Sequence, residues 1–563
     1  MKSKSSIVLL TLAPLFLFII SFNYISKETT PIPKAAMNII KCTSTNFLLS
    51  QVDTTRQIAP LFNDLGNHFY TISTNNKKAQ AFFNQGLNLA YAFNHAESHR
   101  SFMEVARLDP NSAMAYWGQA YVLGPNINDQ LPDAARRQKS YEAIQKAKKL
   151  TSNGNVKEQD LIHALSFRYS KDSVDIKKLN LAYMDAMAKV ADKYPTDPDI
   201  LTLYAAAIMN TVPWNYWDKN GNPSPNIKEA KLALENAKKL NSKHPGANHY
   251  YIHMVELPKP DLGVESADIL NGLDLGAGHL VHMPGHIYMR VGRYEDAVKV
   301  NQKAILSDER YISQCFAQGL YPLVYYPHNI HFLWSAASML GNSELAIDAA
   351  KKTAEKVPVS LLKDSRFHQS FASSPILAYT RFGKWNDVLT MPNPGEEHNY
   401  MQLIWHYARG IAFLRKDNLK DAKEELEFIA NRDKELDFEN ISLVAYEVLA
   451  GEIEAYNGNL DEAISHLEKA VTYEDELPYD EPSVWYIPTR QTLGAILLKA
   501  KKYKQAEKVY REDLAYYRQN GWSLKGLYIS LIAQDHVYEA EYVKSDFEKA
   551  WVKADIEIDS SVL

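Results

Sequence analysis

The chain has 563 residues, enough for three or four average domains or for one long repeat array. Hydrophobic residues at 46 % and charged residues at 23 % exclude wholesale disorder and a polytopic membrane protein. The formal charge of −5, from 62 basic and 67 acidic residues, argues against nucleic acid as a partner, since a general binder needs a basic surface to displace counterions. The two cysteines, Cys42 and Cys315, allow one bridge at most, and none is expected.

At the amino terminus, Lys2 and Lys4 precede an uncharged, mostly apolar stretch of 22 residues from Ser5 to Ser26. Positive charge ahead of an apolar run marks an export signal or a cytoplasmic-side anchor. The run is about long enough to cross ~30 Å of hydrocarbon. No clean small-x-small cleavage site follows it, so an uncleaved anchor is preferred over a cleaved signal peptide for residues 1–27. Both readings expect the bulk of the chain outside the cytoplasmic membrane, and in the periplasm of a cell with two membranes. Residues 28–76, rich in Thr, Ser, Asn and Pro, read as a linker and approach segment.

A repeat frame occupies residues 77–555, leaving 556–563 as a carboxy-terminal tail. Gly292 leads into a helix with Ala297 five residues on. The same offset joins Gly341 to Ala346, Gly383 to Val388, Asp417 to Ala422, Gly458 to Ala463 and Lys501 to Ala506. Glycines often stand twelve residues before the second position, as at Gly285, Gly410, Gly451 and Gly494, and Gly86 bears the same relation to Ser98. Small residues at fixed offsets let antiparallel helices approach closely. The stretches 82–111, 113–124, 179–194, 200–209 and 227–240 read as further helices. The expected fold is all-α, a helical-repeat superhelix of the α-solenoid type behind the amino-terminal membrane segment.

This frame resembles the tetratricopeptide repeat. At whole-chain level, from about Leu61 to Asp555, the sequence is similar to exported or envelope-located bacterial tetratricopeptide-repeat proteins. The likeness rests on Phe93 to Glu97, Ala115 to Gly118, Gly124 to Asn128, His244 to His253, Gly278 to Pro284 and Asn520 to Leu524. It implies a scaffold and assigns no catalytic residue.

Histidine is unevenly spread. Eight of the 17 fall between His244 and His331. His249 and His253 are four apart, His279, His282 and His286 three then four apart, and His328 and His331 three apart. Residues so spaced share a helix face, and paired imidazoles at that distance can share a metal ion. His249, His253, His279, His282, His286, His328 and His331 are therefore candidate ligands for a transition metal, with Glu256 as a further ligand or base. In the tetratricopeptide family the second and fifth repeat positions, held here by His279, His282, His328 and His331, line the concave groove. Tyr250, Tyr251, Tyr288, Arg290, Tyr325 and Tyr326 are candidate groove residues around them. Trp214, Tyr216 and Trp217 are read as packing residues that are also suited to stacking on sugar rings. No zinc-protease motif is present, because Tyr250 follows His249 where a glutamate base would be needed.

Two functions are expected from these features. The first is a membrane-tethered extracytoplasmic scaffold that binds a protein, peptide or carbohydrate polymer in its groove, as an accessory to external polysaccharide processing. The second is a metal-dependent enzyme or metal-binding protein built on the histidine cluster.

Overall fold

Turn chemistry organises the chain into helical hairpins. All six turn residues of the repeat frame adopt left-handed backbone: Gly292, Gly341, Gly383, Asp417, Gly458 and Lys501 have φ between +58° and +86°. Phe93 at +56° and Asp535 at +60° extend the series to eight. At each, the next residue donates its N–H to the carbonyl five positions back, as in Asn94 to Leu89 at 2.9 Å, Arg293 to Tyr288 at 2.8 Å and His536 to Leu531 at 3.0 Å. This is the Schellman closure, which satisfies carbonyls left open at a helix end. Five residues after each turn comes a small or branched residue at zero exposure: Ser98, Ala297, Ala346, Val388, Ala422, Ala463, Ala506 and Ala540. That residue seats the second helix on the first.

The computed structural model describes residues 55–171, 175–218, 220–273, 275–315, 321–363, 365–431 and 439–563. Among them are 26 α-helices between Lys77 and Ala550 and no strand, with two isolated bridges, Asn126 to Asp129 and Trp217 to Pro223. Consecutive helices pack pairwise along the chain, giving an all-helical array of repeated hairpins around one large apolar core. Helix boundaries follow the pattern closely at Ile227–Leu240. The predicted stretch 82–111 is divided by the turn at Phe93 into Lys77–Tyr91 and His95–Leu108. His95 and His99 therefore share one helix.

In an open solenoid each repeat touches only its neighbours. Here distant repeats also meet. The helix Lys77–Tyr91 packs on Pro245–Val255. Trp522 donates its indole N–H to the Ser338 carbonyl at 3.0 Å, and Arg518 forms a two-pronged pair with Asp261. Beyond the last helix, Asp555 accepts the N–H groups of Ser343 and Glu344, and Ser561 is fully buried against Tyr510 and the Gln491 carbonyl. Residues 57–74 lie along the first helices, with Ile58, Ala59, Tyr70 and Ile72 buried.

The apolar stretch from Ser5 to Ser26, and with it the anchor reading, lies outside the described residues, as does Cys42. Among the described residues no helix is long and apolar enough to cross a membrane.

Candidate metal centre

Three segments converge on one buried point. Pro245–Val255 begins with Pro245 at its first turn, after His244 caps it by accepting the Ala247 N–H at 3.0 Å. All eleven of its residues are buried, so its imidazoles have no water to turn to. Gly246 lets this helix sit tightly on Tyr91, since a Cβ there would stand 2.5 Å from the tyrosine ring. That approach sets the Tyr91 carbonyl 2.6 Å from His249 Nδ1. The second segment breaks at Pro284 into Gly278–His282 and Pro284–Val291, so the face expected of one helix is shared by two. Gly285 leaves room for Asn301, whose amide would lie 2.9 Å from a Cβ there. The third segment enters by a single π-helical turn, Tyr321–Tyr325, into the helix Tyr326–Met339 that bears His328.

Six of the seven predicted histidines meet there, in two sets of three. His249, His253 and His279 bring one nitrogen each within 4.8 Å of one another, and so do His282, His286 and His328. Glu256 stands between the sets, 3.2 Å from His253 Nδ1 and 2.8 Å from His286 Nδ1. His331 is not among them. It points the other way, into Trp334, Phe371 and Tyr486, with ring centroids at 5.1, 4.7 and 5.1 Å.

The hydrogen bonds decide which nitrogen each ring presents. A carbonyl can only accept, so His249 donates from Nδ1 to Tyr91 and its Nε2 carries a lone pair. His282 donates from Nδ1 to Asn301 Oδ1 at 2.7 Å, and the Asn301 amide is itself fixed by donating to the Ala297 carbonyl at 2.7 Å. His253 turns Nδ1 to the Glu256 carboxylate. The Nε2 atoms of His249 and His253, and both nitrogens of His279, are buried without a hydrogen-bond partner. His282 Nε2 faces His286 Nε2 at 2.8 Å. Imidazoles that ligate a metal show this pattern, with one nitrogen held by a carbonyl, amide or carboxylate and the other free.

Electrostatics favour the neutral form of these rings, His286 excepted. Burial holds His249, His279, His282 and His328 well below the ordinary imidazole range, which leaves them neutral. Burial lowers His253 too, against the pull of Glu256. At His286 burial also acts downward, but the Glu256 carboxylate outweighs it and the ring lies above its usual value. Burial opposes ionisation of Glu256, yet His286 and His253 together draw it down to about 2.

Each set of histidines is faced by its own phenylalanine. The Phe93 ring lies 4.4, 5.9 and 5.4 Å from His249, His253 and His279, and Phe332 lies 4.6, 4.6 and 5.0 Å from His282, His286 and His328. Trp214 meets His253 edge-on at 5.1 Å. Phe93 and Trp214 (φ +62°) both hold the left-handed backbone that bulky residues avoid. Sequence reasoning missed Tyr91, Phe93, Asn301 and Phe332. The one available signal was a phenylalanine at the turn position that elsewhere carries Gly, Asp or Lys.

The predicted groove residues do not form a groove. Tyr250, Tyr251, Tyr288, Tyr325 and Tyr326 are all buried. The hydroxyls of Tyr251, Tyr288 and Tyr326 reach away to Glu235, Asp268 and Glu309. Only Tyr250 and Tyr325 touch the histidines. The physical reason is the folding-back of distant repeats, which fills the side an open array would leave free. Arg290 lies over the Tyr516 ring at 4.0 Å and lines a cleft of about 410 Å³ with Met289, Ser335, Glu481, Trp485 and Tyr517.

A second buried group, His68, Asp199 and His244, is complete without a metal. Asp199 Oδ1 receives Tyr91 Oη at 2.8 Å, His68 Nε2 at 2.9 Å and His244 Nε2 at 3.2 Å. His244 spends its lone pair on the helix cap, so its Nε2 is the proton-bearing side.

No protein-family description matches the chain, and no curated protein does. Among solved structures it is similar to the human IFIT1 dimer with m7Gppp-AAAA, at 14 % identity and a TM-score of 0.33, over 79 % of this chain and 91 % of that one. It is also similar to Ypp1, at 10 % and 0.35, over 86 % and 66 %. The P58(IPK) TPR domain matches at 12 % and 0.20, over 82 % and 99 %. Likeness at this level transfers no ligand to this chain.

Proposed function

We propose that this chain is an extracytoplasmic metal protein, in which the helical repeats serve as a rigid scaffold for a buried histidine centre that takes a transition-metal ion. The carrying observation is the inward Nε2 atoms of His249, His253 and His282, whose Nδ1 atoms are tied down. Leaving such atoms unpaired inside a protein costs about 1–3 kcal/mol each, which a metal–nitrogen bond would offset. Imidazole suits zinc, copper, iron or nickel. A three-imidazole set leaves one position open on a tetrahedral ion, which would polarise a bound water or substrate. A polymer or peptide in an open groove is not part of this reading, because the residues named for it are buried.

Elemental analysis of untagged protein tests the proposal, with the His249→Ala, His282→Ala double variant as reference. Near-stoichiometric metal in the parent and its loss from a variant of equal helicity are expected. Folded parent that cannot be loaded with zinc, copper, iron or nickel would overturn it.

The extracytoplasmic part rests on Lys2, Lys4 and the uncharged run that follows them. Full-length protein is expected to fractionate with membranes and to begin at or near Met1. An amino terminus beyond Ile25 would remove the anchor and leave export standing. Soluble full-length protein in the cytoplasm would overturn both.

A further inference from the structure

Six imidazoles are more than one ion needs. A structural zinc takes four protein ligands, and a catalytic one takes three with an open position. The six form two all-imidazole sets of three, with a third close group, His253, Glu256 and His286, straddling them, and the two sets are alike in several respects. Each brings three nitrogens within 4.8 Å. Each has one ring fixed by a neutral acceptor, the Tyr91 carbonyl for His249 and the Asn301 amide for His282. Each has one ring turned toward Glu256, through His253 in the first and His286 in the second. A phenylalanine covers each set on one side. The sets also abut, because ring centroids across the divide, 5.5 Å for His253–His286 and 5.7 Å for His279–His282, are shorter than the longest within each set, 6.2 Å for His253–His279 and 5.8 Å for His286–His328.

We infer that the centre is binuclear, with His249, His253 and His279 holding one transition-metal ion and His282, His286 and His328 holding a second beside it. The inference rests on the metal-binding reading above. Glu256 is a positioning residue common to both sites, since its two oxygens face the Nδ1 side of one histidine from each. It also supplies negative charge between two cations. The facing Nε2 atoms of His282 and His286 mark where the second ion enters. His282, held at Nδ1 by Asn301, aims its Nε2 lone pair at His286 Nε2 at 2.8 Å, a space filled by a proton or a cation. All-imidazole sets with no thiolate bind copper most strongly among the divalent first-row ions, so copper is the informative probe.

The test uses the full chain, stripped of metal, loaded with copper and dialysed against a weak chelator. Two copper ions per chain are expected. The cupric form is expected to show magnetic coupling, with an electron-spin signal well below the copper content. The pair His249→Asn, His279→Asn and the pair His282→Asn, His328→Asn should each retain one ion, with an uncoupled signal of full intensity. One ion per parent chain, or two ions with uncoupled signals, overturns the binuclear assignment and leaves the metal-binding function intact. Zero uptake overturns both. The parent's ratio and spin count decide the matter even where a variant does not fold.

Discussion

The proton on His282 depends on Asn301. That side chain can accept from His282 Nδ1 because its own amide is pinned to the Ala297 carbonyl, and Gly285 leaves it the space. Replacing Asn301 by Leu keeps much of the volume and removes the acceptor. Loss of such a partner costs 10–100-fold in metal affinity as a rule. Asn301→Leu is therefore expected to bind copper about 10–100-fold more weakly, measured by competition with a chromogenic chelator, while its circular dichroism stays that of the parent. Affinity within twofold of the parent would show that the ring orientation does not need Asn301. At this scale the sequence was a good guide to which imidazoles meet and a poor one to their partners. Spacings of three and four place imidazoles on one face whatever surrounds them, and six of seven converged. His331 shares a helix with His328 yet points to Phe371 and Tyr486, and no spacing rule tells which of two neighbouring rings faces inward. Tyr91 acts through a main-chain carbonyl, which carries no side-chain signature at all.

At the level of elements, the hairpin turn is the unit that repeats, and Phe93 is its costly exception. Left-handed backbone disfavours any side chain by ~1–2 kcal/mol, glycine excepted. Phe93→Gly and Phe93→Ala both lose the ring, so their difference isolates the backbone. We expect the glycine variant to be more stable by about 1 kcal/mol in chemical denaturation, the reverse of their order inside a helix. An alanine variant equal to or better than glycine would mean that the turn is unstrained. Buried carboxyls join elements as well. Asp308, on the helix Tyr294–Cys315, accepts from Tyr321 at 2.8 Å and from Asn329 at 2.7 Å, tying down the segment that leads to His328. Burial raises its carboxyl from 3.8 to about 7 against those two hydrogen bonds. The folded state then keeps a proton that the unfolded chain has lost, so the contribution of Asp308 falls as pH rises from about 4 to 7. Asp308→Asn removes that slope. Between pH 4 and pH 7.5 the stability difference should move in favour of the variant by on the order of 3 kcal/mol, read from denaturation midpoints. No change in the difference across that window would contradict a proton held on Asp308. The repeat frame was legible because five-residue offsets recur, and all six turn positions proved left-handed. The break at Pro284 was harder to read, since His282 and His286 remain adjacent across it.

For the whole molecule, the repeat frame led to an all-helical array but not to its closure. Contacts such as Trp522 with Ser338, Arg518 with Asp261 and Asp555 with Ser343 join residues far apart in the chain, and local periodicity has no reach over such distances. Those contacts join repeats that an open array would keep apart. They also explain why the tyrosines expected at an open surface are buried. The central claim is that the enclosed imidazoles hold metal. X-ray absorption at the metal edge of untagged, as-purified protein tests it most directly. The account expects a first shell of nitrogen at ~2.0 Å, with the outer-shell scattering of at least three imidazole rings per ion. A first shell dominated by oxygen or sulfur, or no edge from zinc, copper, iron or nickel after loading, would contradict it.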